Sequence, residues 1–448
     1  VGLNNSGANN VALTNSSALA IGTSSVGSGT LGLTSGGAIT QSGTLTQAVS
    51  AGTFTLASTA ANSDITLSLA NDLNGTISLG GTLGNIRDVH LRNINTGASS
   101  ITNLGSASSL RNLTLTFNNA AIALGALSMT GDLAVTAGGA ITQTGALTVS
   151  GTSKTATFAA GSSNNITLSN SGNNFTKVLI TSGNNVTLVD TNALNLGAST
   201  LSGNLNVTTT GAITVSGALT MNGSNKTADF TSNGNDMTFS AALNGAIDLT
   251  LNPGAAGNIT FDANLGDVTA LSSLVISNAT NITNNATITA GGFTQSAGSG
   301  LTSLGDSTLV ATGTATITTG NTTGALTVGA LELETDAANL TGTVDGFAGQ
   351  TGANLIVLLN TIGPGTHFFN GIDLYKSTPS TPSASSSTTA KTATTTNPAF
   401  VFLPFLEEAN EEEEEEELVN TCKPCKNKIF CPFKHCNIEA PLFNQASR

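Results

Sequence analysis

A short phrase returns along this chain and limits what it can fold into: Gly37-Ala38-Ile39-Thr40-Gln41, Gly139-Ala140-Ile141-Thr142-Gln143, Gly211-Ala212-Ile213-Thr214 and, altered, Gly292-Phe293-Thr294-Gln295. The copies lie 102, 72 and 81 residues apart. Long-range self-similarity among short apolar alternations and Gly, Asn, Ser and Thr turns marks a stacked solenoid, in which each repeat buries its apolar face only against its neighbours.

The spacing inside the phrases predicts the strands. Ile166-Thr-Leu168, Val186-Thr-Leu188, Leu194-Asn-Leu196, Leu205-Asn-Val207, Ile213-Thr-Val215 and Leu219-Thr-Met221 each place two apolar side chains around one polar residue, the period-two pattern of a half-buried strand. Matching positions recur at about 20 residues, as from Ile166 to Val186 to Leu205, which leaves room for three short strands per coil. The expected fold is all-β, a parallel β-helix over residues 1–375, with Gly, Asn and Ser at the turns and stacked Asn and Thr side chains forming ladders, as at Asn184-Asn185 and Thr208-Thr209-Thr210. At roughly 20 residues each, about 18 coils would fill that span.

Composition excludes several classes. Only 9% of the 448 residues are charged, Trp is absent and Tyr375 is the one tyrosine, an unusual balance for an ordinary globular domain. The longest aliphatic run, Leu355 to Leu359, is far short of the ~20 apolar residues of a spanning helix, so no transmembrane helix is expected. A formal charge of −13 with no basic stripe argues against nucleic-acid binding. The opening Val1-Gly2-Leu3-Asn4-Asn5 lacks the features of a secretion signal, and the expectation is a chain that begins inside a coil or after processing.

The Gly-Gly-Ala-Ile-Thr-Gln phrase followed by Ser/Thr-Gly-x-Leu-Thr, together with Asn-Asn-Ile/Val-Thr-Leu, resembles the repeats of filamentous-haemagglutinin-like, two-partner-secreted exoproteins of Gram-negative bacteria. The resemblance covers most of residues 30–375. It implies a right-handed parallel β-helix, secretion through an outer-membrane partner translocator, and a non-enzymatic, extracellular role at the bacterial cell surface as an adhesin or surface fibre. The N-terminal secretion domain of that family is not visible, so the chain is expected to be the distal part of something longer. Partners are then a host or cell-surface receptor, or neighbouring copies of the chain itself. The alternatives are a fibre subunit joined head to tail by coil stacking or tail disulfides and, further off, a polysaccharide-degrading β-helix enzyme.

Few side chains offer chemistry. In Arg87-Asp88-Val89-His90-Leu91-Arg92, strand alternation places Asp88, His90 and Arg92 on one face, the acid, base and cation that a carbohydrate-cleaving groove needs. A solvated strand face with local ion pairs is the preferred reading, and no catalytic residue or cofactor is assigned. Thr-x-Thr pairs such as Thr44/Thr46, Thr114/Thr116 and Thr314/Thr316 do not recur in every coil and read as ordinary outward threonines rather than an ice-binding face. Asn112, Asn165, Asn174, Asn185, Asn206, Asn225 and Asn258, with Asn278, Asn281 and Asn285, begin Asn-x-Ser/Thr triplets and are candidate glycosylation sites. No phosphate-binding Gly-rich loop and no Ca²⁺-binding nonapeptide occurs.

The end of the chain is of another kind. Residues 355–375, with His367 among clustered aromatic residues, are expected to cap the last coil. Residues 376–398 are Ser/Thr/Pro-rich and read as a flexible or O-glycosylated linker, and residues 399–448 form an apolar, acidic and Cys-rich tail. Its Cys422-x2-Cys425-x5-Cys431-x4-Cys436 spacing, with His435, suits two disulfides in an oxidising exterior, and alternatively a small zinc knot or free or intermolecular thiols. High-molecular-weight adhesins of the same secretion class resemble this tail in ending on a cysteine-looped segment, which implies anchoring by these four residues.

Overall fold

The computed structural model describes residues 1–97 and 101–297, together with the backbone of six short strands between residues 302 and 375. Within these residues the chain is all-β, a parallel β-solenoid of about 13 turns. Every described pairing is parallel except one, between Thr366–Phe369 and Ile372–Tyr375, which form a separate antiparallel pair. All six strands expected between Asn165 and Met221 are present, and Ile166, Val186 and Leu205 stack in register.

Period-two alternation builds the interior. In Leu31–Ser35 the side chains of Leu31, Leu33 and Ser35 are buried and those between are half-buried. Most strands thus send an apolar pair inward, with Ser24, Gln47, Ser199 and Asn284 taking one place of the pair in their strands, and paired strands set these side chains above their counterparts one coil below. Phe239 and Phe261 pair in register with ring centroids 5.4 Å apart, and Phe230 meets Phe239 edge-on at 5.6 Å. At about 25 cal/mol per Å² of apolar surface, one coil's few side chains cannot offset the ordering of its backbone, so stability is shared between neighbours.

The recurring phrase is explained by close approach of coils. A Cβ on Gly36 or Gly138 would lie 2.0 Å from the carbonyl oxygen of Ser16 or Asn118, and one on Gly211 would lie 2.4 Å from the nitrogen of Ala193. Only glycine lets the corner of one coil rest on the corner beneath it.

Coils are less uniform than the 20-residue expectation. Lys177 stands below Asn195, a step of 18 residues, whereas Ile39 stands below Ile65, a step of 26. The extra residues sit at corners, as in the long strand Leu219–Thr231, whose register shifts twice between Thr220 and Lys226. Corners absorb them because only the strand segments must keep inward and outward faces aligned.

The strands stack in columns. One column carries Val11–Asn15, Leu31–Ser35, Phe54–Ser58 and Ile77–Gly81. A second runs through Leu19, Ile39, Ile65, Val89, Leu113, Leu133, Ala156 and Val178. A third column, beside the upper part of the second, runs through Ile122, Ile141, Ile166, Val186 and Leu205. The strand Lys177–Ser182 turns a corner: Leu196 pairs with its start at Val178, while the hydroxyl of Ser199 accepts the N–H of Ile180 further along at 3.1 Å.

Candidate functional surface

Outside the apolar columns the side chains are arranged as ladders. The carboxamide oxygen of Asn165 accepts the backbone N–H of Asn185 at 3.2 Å, Asn185 accepts that of Asn204 at 2.9 Å, and Asn204 accepts that of Thr227 at 3.1 Å. The same series runs from Asp88 to Asn112, from Asn112 to Asp132 and from Asp132 to Thr155, at 3.0, 2.9 and 2.9 Å. A short side-chain acceptor at or near the start of these strands supplies a partner to the coil above, which is why Asn and Asp are favoured there. The expected Asn ladder is therefore present at Asn185.

A second device lies at the corners. Gln41 donates to the oxygen of Asn71 at 2.9 Å and Asn71 donates back to Gln41 at 3.0 Å, while Asn71 also accepts the N–H of Leu45 at 2.9 Å. Gln143 and Asn173 repeat the arrangement at 2.8 and 3.0 Å, with Leu147 at 2.9 Å. Val215 stands at the corresponding place in the third copy, and there the N–H of Leu219 bonds to the carbonyl of Ala242 instead. Sequence reasoning missed these brackets; their signal is a phrase-ending Gln with an Asn 30 residues later.

One coil above each bracket sits a further buried group. Asn93 accepts the N–H groups of Leu73 and Asn95 at 3.0 and 3.1 Å, and in the second copy Asp190 accepts those of Phe175 and Asn192 at 2.7 and 2.9 Å. Burial pushes the Asp190 carboxyl up to about 6, against the two backbone hydrogen bonds, which favour the charged form.

Three segments, residues 8–80, 110–182 and 183–250, match a family described as repeats of unknown function (DUF5649). Comparison with curated proteins and with solved structures gives no match. The first two matched segments each hold one complete Gln and Asn bracket. Each of the three also contains ladder acceptors at the start of its strands, such as Asn10, Asn112 and Asn185.

The charge cluster is a staircase of ion pairs. Val89 and Leu91 are buried and Asp88, His90 and Arg92 face outward, as alternation predicts. Arg87 reaches down one coil to Asp64 with two bonds of 2.9 and 2.6 Å, and Arg111 reaches down to Asp88 in the same forked way. Burial opposes ionisation of Asp88, but Arg111, the Asn112 N–H and the charge of Arg87 together hold its carboxyl below the usual range. Arg92 donates to Asn118 at 2.9 Å, and exposed His90 stands in register between Thr66 and Thr114. The acid of the cluster is thus bound to a neighbouring coil, an arrangement suited to holding coils together.

The glycosylation candidates divide by their hydrogen bonds. Asn206 and Asn225 are exposed, Asn225 at the register shift of the long strand Leu219–Thr231 with φ 57°. Asn165 and Asn185 are exposed but serve as ladder acceptors. Asn112 is tied to Asp88 and Asp132, Asn258 to Asp236 and Asn281, and Asn174 to Asn192. Among the described residues no three His, Cys, Asp or Glu side chains gather as metal ligands, and no helix is long and apolar enough to cross a membrane. Cys422, Cys425, Cys431, Cys436 and His435, the linker at 376–398 and the tail at 399–448 lie outside the described residues, as does the side chain of His367.

Proposed function

We propose that this protein is a non-enzymatic, extracellular adhesin or surface-fibre protein of a Gram-negative bacterium, in which the solenoid supplies reach and the tail holds the protein at the cell surface. The observation that carries the reading is the use of the polar side chains: Asn, Asp, Gln and Arg mostly bind the next coil, so the described surface is a stack of structural ladders. A scaffold of this kind spends its polar groups on length and regularity rather than on a reaction. The resemblance to haemagglutinin-like exoproteins supports secretion through an outer-membrane partner, with the glycosylation candidates Asn206 and Asn225 the most accessible for modification.

The test is cell fractionation before and after mild reduction, with non-reducing gels beside it. Release of a monomer on reduction supports a tethered adhesin whose Cys422, Cys425, Cys431 and Cys436 form disulfides. Collapse of a high-mass ladder would favour the fibre subunit joined through its tail. Recovery of the protein only from the cytoplasm would overturn the proposal.

A further inference from the structure

The three matched segments do not stack in phase. The first begins with the strand Val11–Asn15 in the first column. The second begins with Asn112–Phe117, which stands on Ile86–Asn93 and, below that, on Ser63–Asn71, the second column. The third begins with Val186–Asp190, which stands on Ile166–Leu168, in the third column. The recurring phrase shows the same displacement. Ile39 lies between Leu19 and Ile65, while Ile141 lies between Ile122 and Ile166, and the column of Ile39 carries Leu133 rather than Ile141 at that height.

The cause is visible in the strand count. The second segment winds three full coils, beginning at Asn112–Phe117, Leu133–Ala137 and Ala156–Ala159, and then adds Lys177–Ser182 on top of Ala156–Ala159. That last strand closes the column on which the segment began, so the next segment starts one column further on. Between the first and second segments, residues 81–109 add Ile86–Asn93 to the second column and Ile101–Thr102 to the first, which is one more coil and leaves the advance unchanged.

We propose that the matched segment is a rotating module: each copy turns everything beyond it by one column, about a third of a turn, so the number of copies decides which side of the solenoid a distal surface faces. Equivalent ladder acceptors, Asn10, Asn112 and Asn185, are thereby distributed over three sides, and a partner that recognises one module meets the same surface from three directions. This rests on strand pairing and holds whether or not the protein is an adhesin.

The test duplicates residues 110–182 in the full chain immediately after residue 182. Rotation places Thr114 of the second copy over Thr167 of the first, as Thr187 now stands, and a chain without rotation places it over Leu179. The expected result is a disulfide between T167C of the first copy and T114C of the second, and none between L179C and T114C, mapped by peptide mass. The reverse pattern overturns the proposal. A second variant deletes residues 110–182 and pairs H90C with T187C, which rotation brings into adjacent coils and which are far apart in the parent. Failure of both variants to fold, read by circular dichroism, also overturns it, because a module that sets rotation must be insertable and removable.

Discussion

Gln41 and Asn71 exchange two hydrogen bonds across 30 residues of sequence, and Asn71 is fully buried while it does so. Asn71 also donates to the carbonyls of Leu67 and Arg92 at 3.1 and 3.2 Å and accepts from Leu45, so one side chain serves three successive coils. Asn71→Leu fills the space but strands the buried Leu45 N–H and leaves the Gln41 amide only its bonds with Gly43 and Leu69. The expected loss is about 2–4 kcal/mol, whereas Gln41→Ala, at a half-buried site, costs about 1 kcal/mol. Urea unfolding of the two variants with hydrogen exchange at Leu45 checks the order, and equal losses would contradict the bracket.

Asp190 makes stability depend on pH in a defined direction. Its folded value of about 6 is above the ordinary 3.8, so the fold favours the protonated acid. The contribution is fully present below pH 3.8 and is lost as pH rises through about 6. Asn93 shows that the same corner accepts a carboxamide, donating to the carbonyl of Leu73 at 3.0 Å. Asp190→Asn is expected to stabilise the protein at pH 7 by up to about 3 kcal/mol relative to the parent and to leave stability at pH 3.5 nearly unchanged. Denaturant midpoints at the two pH values test the difference.

Two glycines separate close approach from simple turn preference. A Cβ on Gly138 would meet the Asn118 carbonyl at 2.0 Å, while one on Gly125 would meet nothing within 4 Å. Gly138→Ala should cost about 1–3 kcal/mol as the two corners move apart, and Gly125→Ala should be neutral or slightly stabilising. Thermal melts of the pair would expose an error if Gly138→Ala proved silent.

The ion-pair staircase is expected to contribute little per step. The Asp88 to Arg111 pair is partly exposed, and a double-mutant cycle should return only a small coupling that decreases with added salt. Asp88→Ala should cost more than Arg111→Met, because Asn112 also loses the acceptor of its N–H. A coupling energy of several kcal/mol would mean that the pair is more shielded from water than its exposure indicates.

The solenoid was legible because its cause is local. Ile166-Thr-Leu168 and Val186-Thr-Leu188 state a period of two by themselves, and their 20-residue separation states the coil, so strand positions and inward faces follow from adjacent residues. The ladder acceptor Asn185 was also legible, since a short amide before a strand has few other uses. The brackets were not, because Gln41 and Asn71 meet only when a whole coil closes between them, and nothing near either residue signals the other. The role of Asp88 was likewise open, as its partner Arg111 comes from the coil above.

Sequence alone determined that this chain is a stack of short strands with apolar residues turned inward, because side-chain alternation and glycine at the corners act within a few residues. Only the tertiary structure decided the phase of the stack. Whether Leu133 or Ile141 stands in the column of Ile39 depends on how many strands intervene, and a corner that adds or omits one face changes the answer while leaving the local pattern intact. Apolar pairs from any face fit above any other, so the columns themselves impose no phase, and the count of faces in each matched segment sets it.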